Sequence, residues 1–242
     1  MTLHVTGASG YLGSELVRLR PDASTERIDV LNGKAVRELF ERVRPDIVIH
    51  TAYRQDDATV NTDGSANVAR AAAAVDARLV HLSTDVVFDG RKGAPYVEHD
   101  PVSPVTEYGR SKAEAEERVA AAHPAALLVR TSLLYGGAEP SKHELAARDP
   151  ALTFFTNEIR SPVQVTDIAQ ALLELAELNA TGPLHVAGAD DVSRAELAEL
   201  ICGASVRSAL APVTRPLDCS LDSSRARALI RTRLRGVREV LA

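Results

Sequence analysis

A chain of 242 residues with 45% hydrophobic composition can bury a sizeable core, as one large α/β domain or one domain with a small appendage. Its net charge of -5 argues against a nucleic-acid partner, and no run of about 18 apolar residues offers a membrane span. Two cysteines, Cys202 and Cys219, are too few for a disulfide framework and lack metal-ligand spacing with histidine, so a reduced, cytoplasmic protein without a metal is expected, and "TLHVTG" directly after Met1, with no charged region and long apolar segment, predicts no signal peptide.

In chain order, "LHVTG" (Leu3 to Gly7) predicts a buried strand, and "YLGSELVRLR" a helix with Leu12, Leu16 and Leu19 on one face. For a second strand the chain offers only "DASTERIDVLNG", which is too short for a full strand plus loop. "KAVRELFERV" predicts a helix stopping before Pro45, "DIVIHTA" a strand, "GSANVARAAAAV" a helix and "RLVHLST" a strand. Glu107 to about Ala122 is predicted helical, ending before Pro124, and "ALLVRTS" is again a strand. This alternation implies a doubly wound, Rossmann-like parallel sheet, with its second strand shortened.

The last third differs. From Gly136 to Arg160 the pattern is weak; "SPVQVTD" then leads into the helix "IAQALLELAEL", followed by the strand "PLHVAG" and the helix "SRAELAELI", with Ser193 as N-cap and Glu196 at the capping-box position. The basic tail "RARALIRTRLRGVRE" reads as a solvated helix face. The expected organisation is a single unit over 1–242: residues 1–132 plus part of the C-terminal third form the Rossmann core, and about 133–165 and 185–242 a small substrate lobe.

Chemistry gathers at three places. "TGASGYLG" sets Gly7, Gly10 and Gly13 between strand and helix, where the first permits a tight turn, the second close approach of a pyrophosphate to a helix N-terminus, and the third close helix–strand packing. An acid about 20 residues further on would serve an adenosine ribose. Asp29 is the best candidate, though it also suits a simple turn or cap. In "EYGRSK", Tyr108 and Lys112 are four apart and share a helix face, where an ammonium would favour the phenolate. "STDVVFDG" places Thr84 at a strand end, in the crevice where such sheets bind ligands; its hydroxyl could hold a substrate carbonyl while Tyr108 delivers a proton. Asp85, Val86, Val87 and Phe88 after the strand, with Arg160, are the candidate substrate residues, the arginine serving either a phosphate or a structural ion pair. Arg54 and Gln55 are further candidates, whereas His4, His50 and His81 read as core residues.

With "TGASGYLG", "DIVIHTAY", "VNTDGSANVARA", "HLSTDVVFDG", "PYVEHDPVSPVTEYGRSKAEAE", "VRTSLLYG" and "RSPVQVTDIAQAL", the chain resembles the extended short-chain dehydrogenase/reductases, and within them the dTDP-4-dehydrorhamnose reductase family. The resemblance implies a catalytic set of Thr84, Tyr108 and Lys112. It implies NADPH or NADH contacts from Gly7, Ser9, Gly10, Tyr11, Leu12 and Gly13, from Asp29 and Val30 beside the adenine, from Thr51, Ala52 and Tyr53, and from Tyr108 and Lys112 themselves. The implied reaction is reduction of a keto sugar, most readily a nucleotide-linked 4-keto-6-deoxy sugar, by a monomer or homodimer. Three departures stand out: Val86 replaces an aromatic, the second strand is shortened, and the 136–160 region is brief. They leave open a non-catalytic, nucleotide-binding regulatory subunit resembling that of methionine adenosyltransferase. A sugar epimerase is also possible; a dehydratase would need a second acid after Asp85.

Overall fold

The computed structural model describes residues 1–241. The elements of its first half are β1 (Leu3–Thr6), α1 (Tyr11–Leu19), α2 (Gly33–Val43), β2 (Ile47–His50), α3 (Ser65–Ala74), β3 (Arg78–Thr84), α4 (Glu107–Ala122) and β4 (Leu127–Thr131). The second half adds β5 (Leu134–Tyr135), α5 (Lys142–Ala147), β6 (Phe154–Phe155), β7 (Ile159–Arg160), β8 (Val163–Gln164), α6 (Val165–Ala176), β9 (Gly182–His185), β10 (Val192–Ser193), α7 (Arg194–Cys202), β11 (Ser208–Ala209), α8 (Ser224–Leu229) and α9 (Val237–Leu241).

Five strands form one parallel sheet in the order β1-β2-β3-β4-β9. β1, β2 and β4 are buried at every residue, because helices cover both faces. Alternate side chains enter two separate cores. Val5, Ile49, Val80, Leu82 and Val129 pack with Leu12 and Leu16 of α1 and Ile168, Leu172 and Leu175 of α6. Val48, Leu79 and Leu128 pack with Leu39 and Phe40 of α2, Val68 and Ala72 of α3 and Val119 of α4. Each fully buried Leu or Phe contributes about 1.5–3 kcal/mol, so this two-sided burial holds the strand ends in line. The register pairs Thr6 with His50, His50 with His81 and Thr84 with Thr131, bringing their C-terminal ends to one crevice.

Two expectations need correction. The second strand is more than shortened: outside β1 it is reduced to one bridge, with Ser24 N–H donating to the Leu3 carbonyl at 2.8 Å and Val5 N–H to that of Ser24 at 3.0 Å. Pro21, which has no N–H, and the polar run after it give little material for a ladder. The basic tail is not one solvated helix. Glu174 accepts the N–H groups of Arg231 and Thr232 at 2.6 and 2.9 Å, where the chain leaves α8. Ala226, Ile230, Leu234 and Val237 are buried, while Arg235 pairs with Asp167 at 2.6 Å and Arg238 with Glu196 at 2.6 Å.

Past β4 the chain builds short pairs: β5 with β8, β7 antiparallel to β10, and β6 with β11. α5 packs on α7 there. The weakly patterned 136–160 stretch contains α5, started by a reciprocal capping box between Ser141 and Glu144. Ser193 caps α7 by accepting from Glu196 N–H. Among the described residues, no helix is long and apolar enough to cross a membrane, and Cys202 and Cys219 are free thiols.

Candidate active site

β3 delivers Thr84 to the crevice, and a single 3-10 turn, Asp85–Val87, follows. α4 starts opposite it, capped by Thr106, whose hydroxyl accepts Gly109 N–H at 3.0 Å. A side chain at position 109 would collide with the Val86 carbonyl, so glycine is what lets the first turn of α4 press against the end of β3. Thr84, Tyr108 and Lys112 therefore line one cavity of about 550 Å³ together with Gly10, Tyr11, Leu12 and Gly13.

Lys112 is buried and donates from Nζ to the Leu82 carbonyl at 2.5 Å; burial draws its pKa down to about 8, with Glu116 opposing. Tyr108 behaves differently from the sequence expectation. Its phenol is held well above its ordinary value, first by burial, then by Tyr53 and Asp85, with the Thr84 hydroxyl acting against them. The Lys112 ammonium is committed to a main-chain carbonyl, and desolvation dominates. The phenol thus keeps its proton. Thr84 Oγ1 donates to Asp85 Oδ1 at 3.1 Å and accepts Val86 N–H at 3.4 Å.

Asp85 is buried, accepts from Ser132 Oγ at 2.6 Å and lies 3.7 Å from Arg160 Nε; burial raises its pKa, opposed first by Arg160. Arg160 also donates to the carbonyls of Ile159, Pro216 (2.9 Å) and Leu217. It lines the cavity, but of its two anticipated roles the structure gives it the ion pair, fastening β7 to the turn after β3. Val86 lines the cavity beside Asp85. Val87 and Phe88 do not, which corrects their assignment to the substrate. The 3-10 turn sends both into a separate core, where Phe88 stacks on Tyr96 at 4.0 Å and lies under the Arg130 guanidinium at 5.1 Å. His4, His50 and His81 are buried as expected; His50 bridges Thr6 at 2.6 Å and Ser65 at 3.0 Å.

The glycine loop fits an anionic dinucleotide. Gly7 adopts φ 70°, and a Cβ there would stand 2.7 Å from Ala52 N. α1 has Gly10 as its N-cap, with no side-chain cap and no acid in its first turn, so its leading N–H groups remain for an anion. Ser9 is exposed beside them. Thr51 Oγ1 fastens the neighbouring loop by donating to the Thr6 carbonyl at 2.7 Å, and the exposed Tyr53 ring lies 6.0 Å from Tyr108. Asp29 and Val30 stand outside the cavity lining. Asp29 is exposed and accepts Leu31 N–H at 3.0 Å, and the Val30 carbonyl is held by Asn67 Nδ2 at 2.9 Å. Of the weaker candidates, Gln55 lines the cavity and Arg54 does not.

Sequence reasoning passed over several lining residues. Ser83, Thr131 and Ser132 are buried hydroxyls at the ends of β3 and β4, and Ser83 Oγ and Thr131 Oγ1 have no protein partner. The strand-end logic applied to Thr84 would have found Ser83 beside it in "HLSTD" and Thr131 and Ser132 in "VRTS". From the chain after β4 come Lys142, His143, Glu158, Arg194 and Arg215. Arg194 donates to His143 Nδ1 at 3.1 Å, and burial, with Arg194 and Lys142 nearby, lowers His143 to about 3. Arg215 pairs with buried Glu158, whereas Arg194 makes no ion pair among the described residues. No local spacing announces this cluster, because its members converge from different elements.

The RmlD substrate binding domain family matches residues 1–242. A dTDP-4-dehydrorhamnose reductase of Mycolicibacterium smegmatis is 33% identical over 274 aligned positions, which span 98% of this chain and 83% of that protein. The beta subunit of methionine adenosyltransferase 2 from Rattus norvegicus is 29% identical, over 93% of this chain and 81% of its own. Among solved structures, the dTDP-4-dehydrorhamnose reductase of Bacillus anthracis, in complex with NADP, superposes with a TM-score of 0.87 at 26% identity, covering 100% of this chain and 98% of that one.

Proposed function

We propose that this chain, which belongs to the RmlD substrate binding domain family, is a cytoplasmic NAD(P)H-dependent reductase of a nucleotide-linked 4-keto-6-deoxy sugar such as dTDP-4-dehydrorhamnose. One observation carries the reading: a glycine loop with uncapped N–H groups, a strand-end hydroxyl and a buried Tyr/Lys pair line the same cavity.

A reduced nicotinamide cofactor held at the glycine loop would supply hydride for the ketone carbon. Tyr108, protonated at neutral pH, gives its phenolic proton to the ketone oxygen as negative charge develops there, and the phenolate recovers a proton from solvent. Lys112, a cation below pH of about 8, stabilises that transient phenolate and offers its remaining N–H donors to the nicotinamide ribose. Thr84 orients the ketone oxygen by turning its hydroxyl from Asp85 towards the cavity, while Ser132 and Arg160 continue to neutralise the carboxylate. The guanidinium of Arg194 suits the substrate's phosphates.

Incubation with NADPH or NADH and dTDP-4-dehydrorhamnose is expected to consume the reduced nicotinamide and yield the 4-hydroxy sugar nucleotide. No turnover with either cofactor, on this or other nucleotide-linked keto sugars, would overturn the reading. A second reading, a non-catalytic regulatory subunit of another enzyme, is favoured by the loss of the second strand beside the cofactor's adenosine end and by similarity to a beta subunit of methionine adenosyltransferase 2. It predicts a stoichiometric enzyme partner and no loss of biological activity on Tyr108→Phe.

A further inference from the structure

Tyr11 sits in the glycine loop, yet its hydroxyl is occupied elsewhere. It accepts Gly137 N–H at 2.8 Å and donates to Glu144 Oε2 at 3.3 Å, both in the segment that follows β5. Burial holds this phenol up at about 12, so it remains a donor. Glu144 is the residue that completes the capping box of α5: the same Oε2 accepts Ser141 N–H at 2.8 Å and Gly136 N–H at 3.3 Å. α5 has six residues, too few to be stable without its cap and its tertiary contacts. It carries Lys142 and His143 into the cavity, and Lys142 Nζ reaches across to Gln55 Oε1 at 2.8 Å.

The helix that lines the substrate end is therefore fastened to the two loops flanking the cofactor end, one after β1 and one after β2. We propose that Tyr11 is a positioning residue that couples the two ends: fixing the glycine loop around the dinucleotide phosphates fixes α5 through the Tyr11 hydroxyl and Glu144, and so sets Lys142 and His143 for the substrate. This rests on the reductase reading for the presence of the cofactor. The path is short and continuous, from α1's first residue through one hydroxyl to one carboxylate, which then holds the start of α5.

Hydrogen exchange of the backbone amides, measured with and without NADPH on the whole chain, tests it. In the wild type, NADPH is expected to slow exchange both in the glycine loop and in α5, the latter by about fivefold or more. In Tyr11→Phe, which loses only the hydroxyl, the glycine loop is expected to remain protected by NADPH while the effect on α5 shrinks to less than about twofold. A purely structural hydroxyl would instead raise α5 exchange equally with and without NADPH. That outcome, or a wild type whose α5 ignores bound NADPH, overturns the coupling and leaves the reductase reading standing. Failure of the wild type to bind either NADPH or NADH removes both.

Discussion

The two ends of the cofactor cleft are built in different ways. At the proposed reacting end, Thr84, Tyr108 and Lys112 are set into the sheet and α4, and even the small step of Gly109 against the Val86 carbonyl is sterically dictated. At the proposed adenosine end, one bridge at Ser24 replaces a strand, and the exposed Asp29 carboxylate has a single backbone partner, Leu31 N–H. The difference teaches where position has to be exact. Proton transfer needs a group held within hydrogen-bond reach, and burial both holds it and sets its pKa. Gripping a ribose can be left to a surface loop, where losing one contact changes affinity by a modest factor.

The sharpest way to break this comparison is Tyr108→Phe. Removal of a general acid should lower kcat by about 10²–10⁴-fold, with NADPH affinity, measured calorimetrically, nearly unchanged. Comparable losses in both would mean that the reacting end also holds the cofactor together. Lys112→Met sharpens it differently. Burial lowers this amine from 10.5 to about 8, so the folded chain resists a proton that the unfolded chain accepts. The resulting destabilisation is full below pH of about 8 and fades as pH rises towards the unfolded value near 10.5. The inactive variant should thus gain about 1–3 kcal/mol at neutral pH, after allowing for the lost bond to the Leu82 carbonyl, and melt several degrees higher. The gain should shrink above pH 8 in thermal melts; no gain at neutral pH would show that the ammonium is better solvated than its burial implies. The smallest effect belongs to Asp29→Ala, which should weaken NADH or NADPH by no more than about tenfold, since one exposed hydrogen bond is worth about 1 kcal/mol. A much larger loss in titration would place the adenosine end on the same footing as the reacting end.

Much of this site could be read locally. "LHVTG", "DIVIHTA", "RLVHLST" and "ALLVRTS" are apolar runs long enough for buried parallel strands, and β1 to β4 lie within them. The spacing of Tyr108 and Lys112 put both on one face of α4, and "STD" put Thr84 at a strand end. Val87 and Phe88 looked equally placed, because nothing in their neighbours shows that a 3-10 turn rotates them into a second core with Tyr96. Arg160 had two roles open to it, and only the approach of Asp85 decides between them.

The sequence by itself determined the alternation of strand and helix, the glycine loop between β1 and α1, and the shared helix face of Tyr108 and Lys112, since each depends on periodicity or on spacing within a few residues. Tertiary structure decided what depends on neighbours distant in the chain. It reduced the second strand to a bridge, and it raised the Tyr108 phenol instead of lowering it, because desolvation outweighs an ammonium already bound to Leu82. It also gathered Lys142 and His143 of α5, Arg194 of α7 and Arg215 of a distant loop into one cavity. Charge and burial act through space, and no local pattern of residues encodes them.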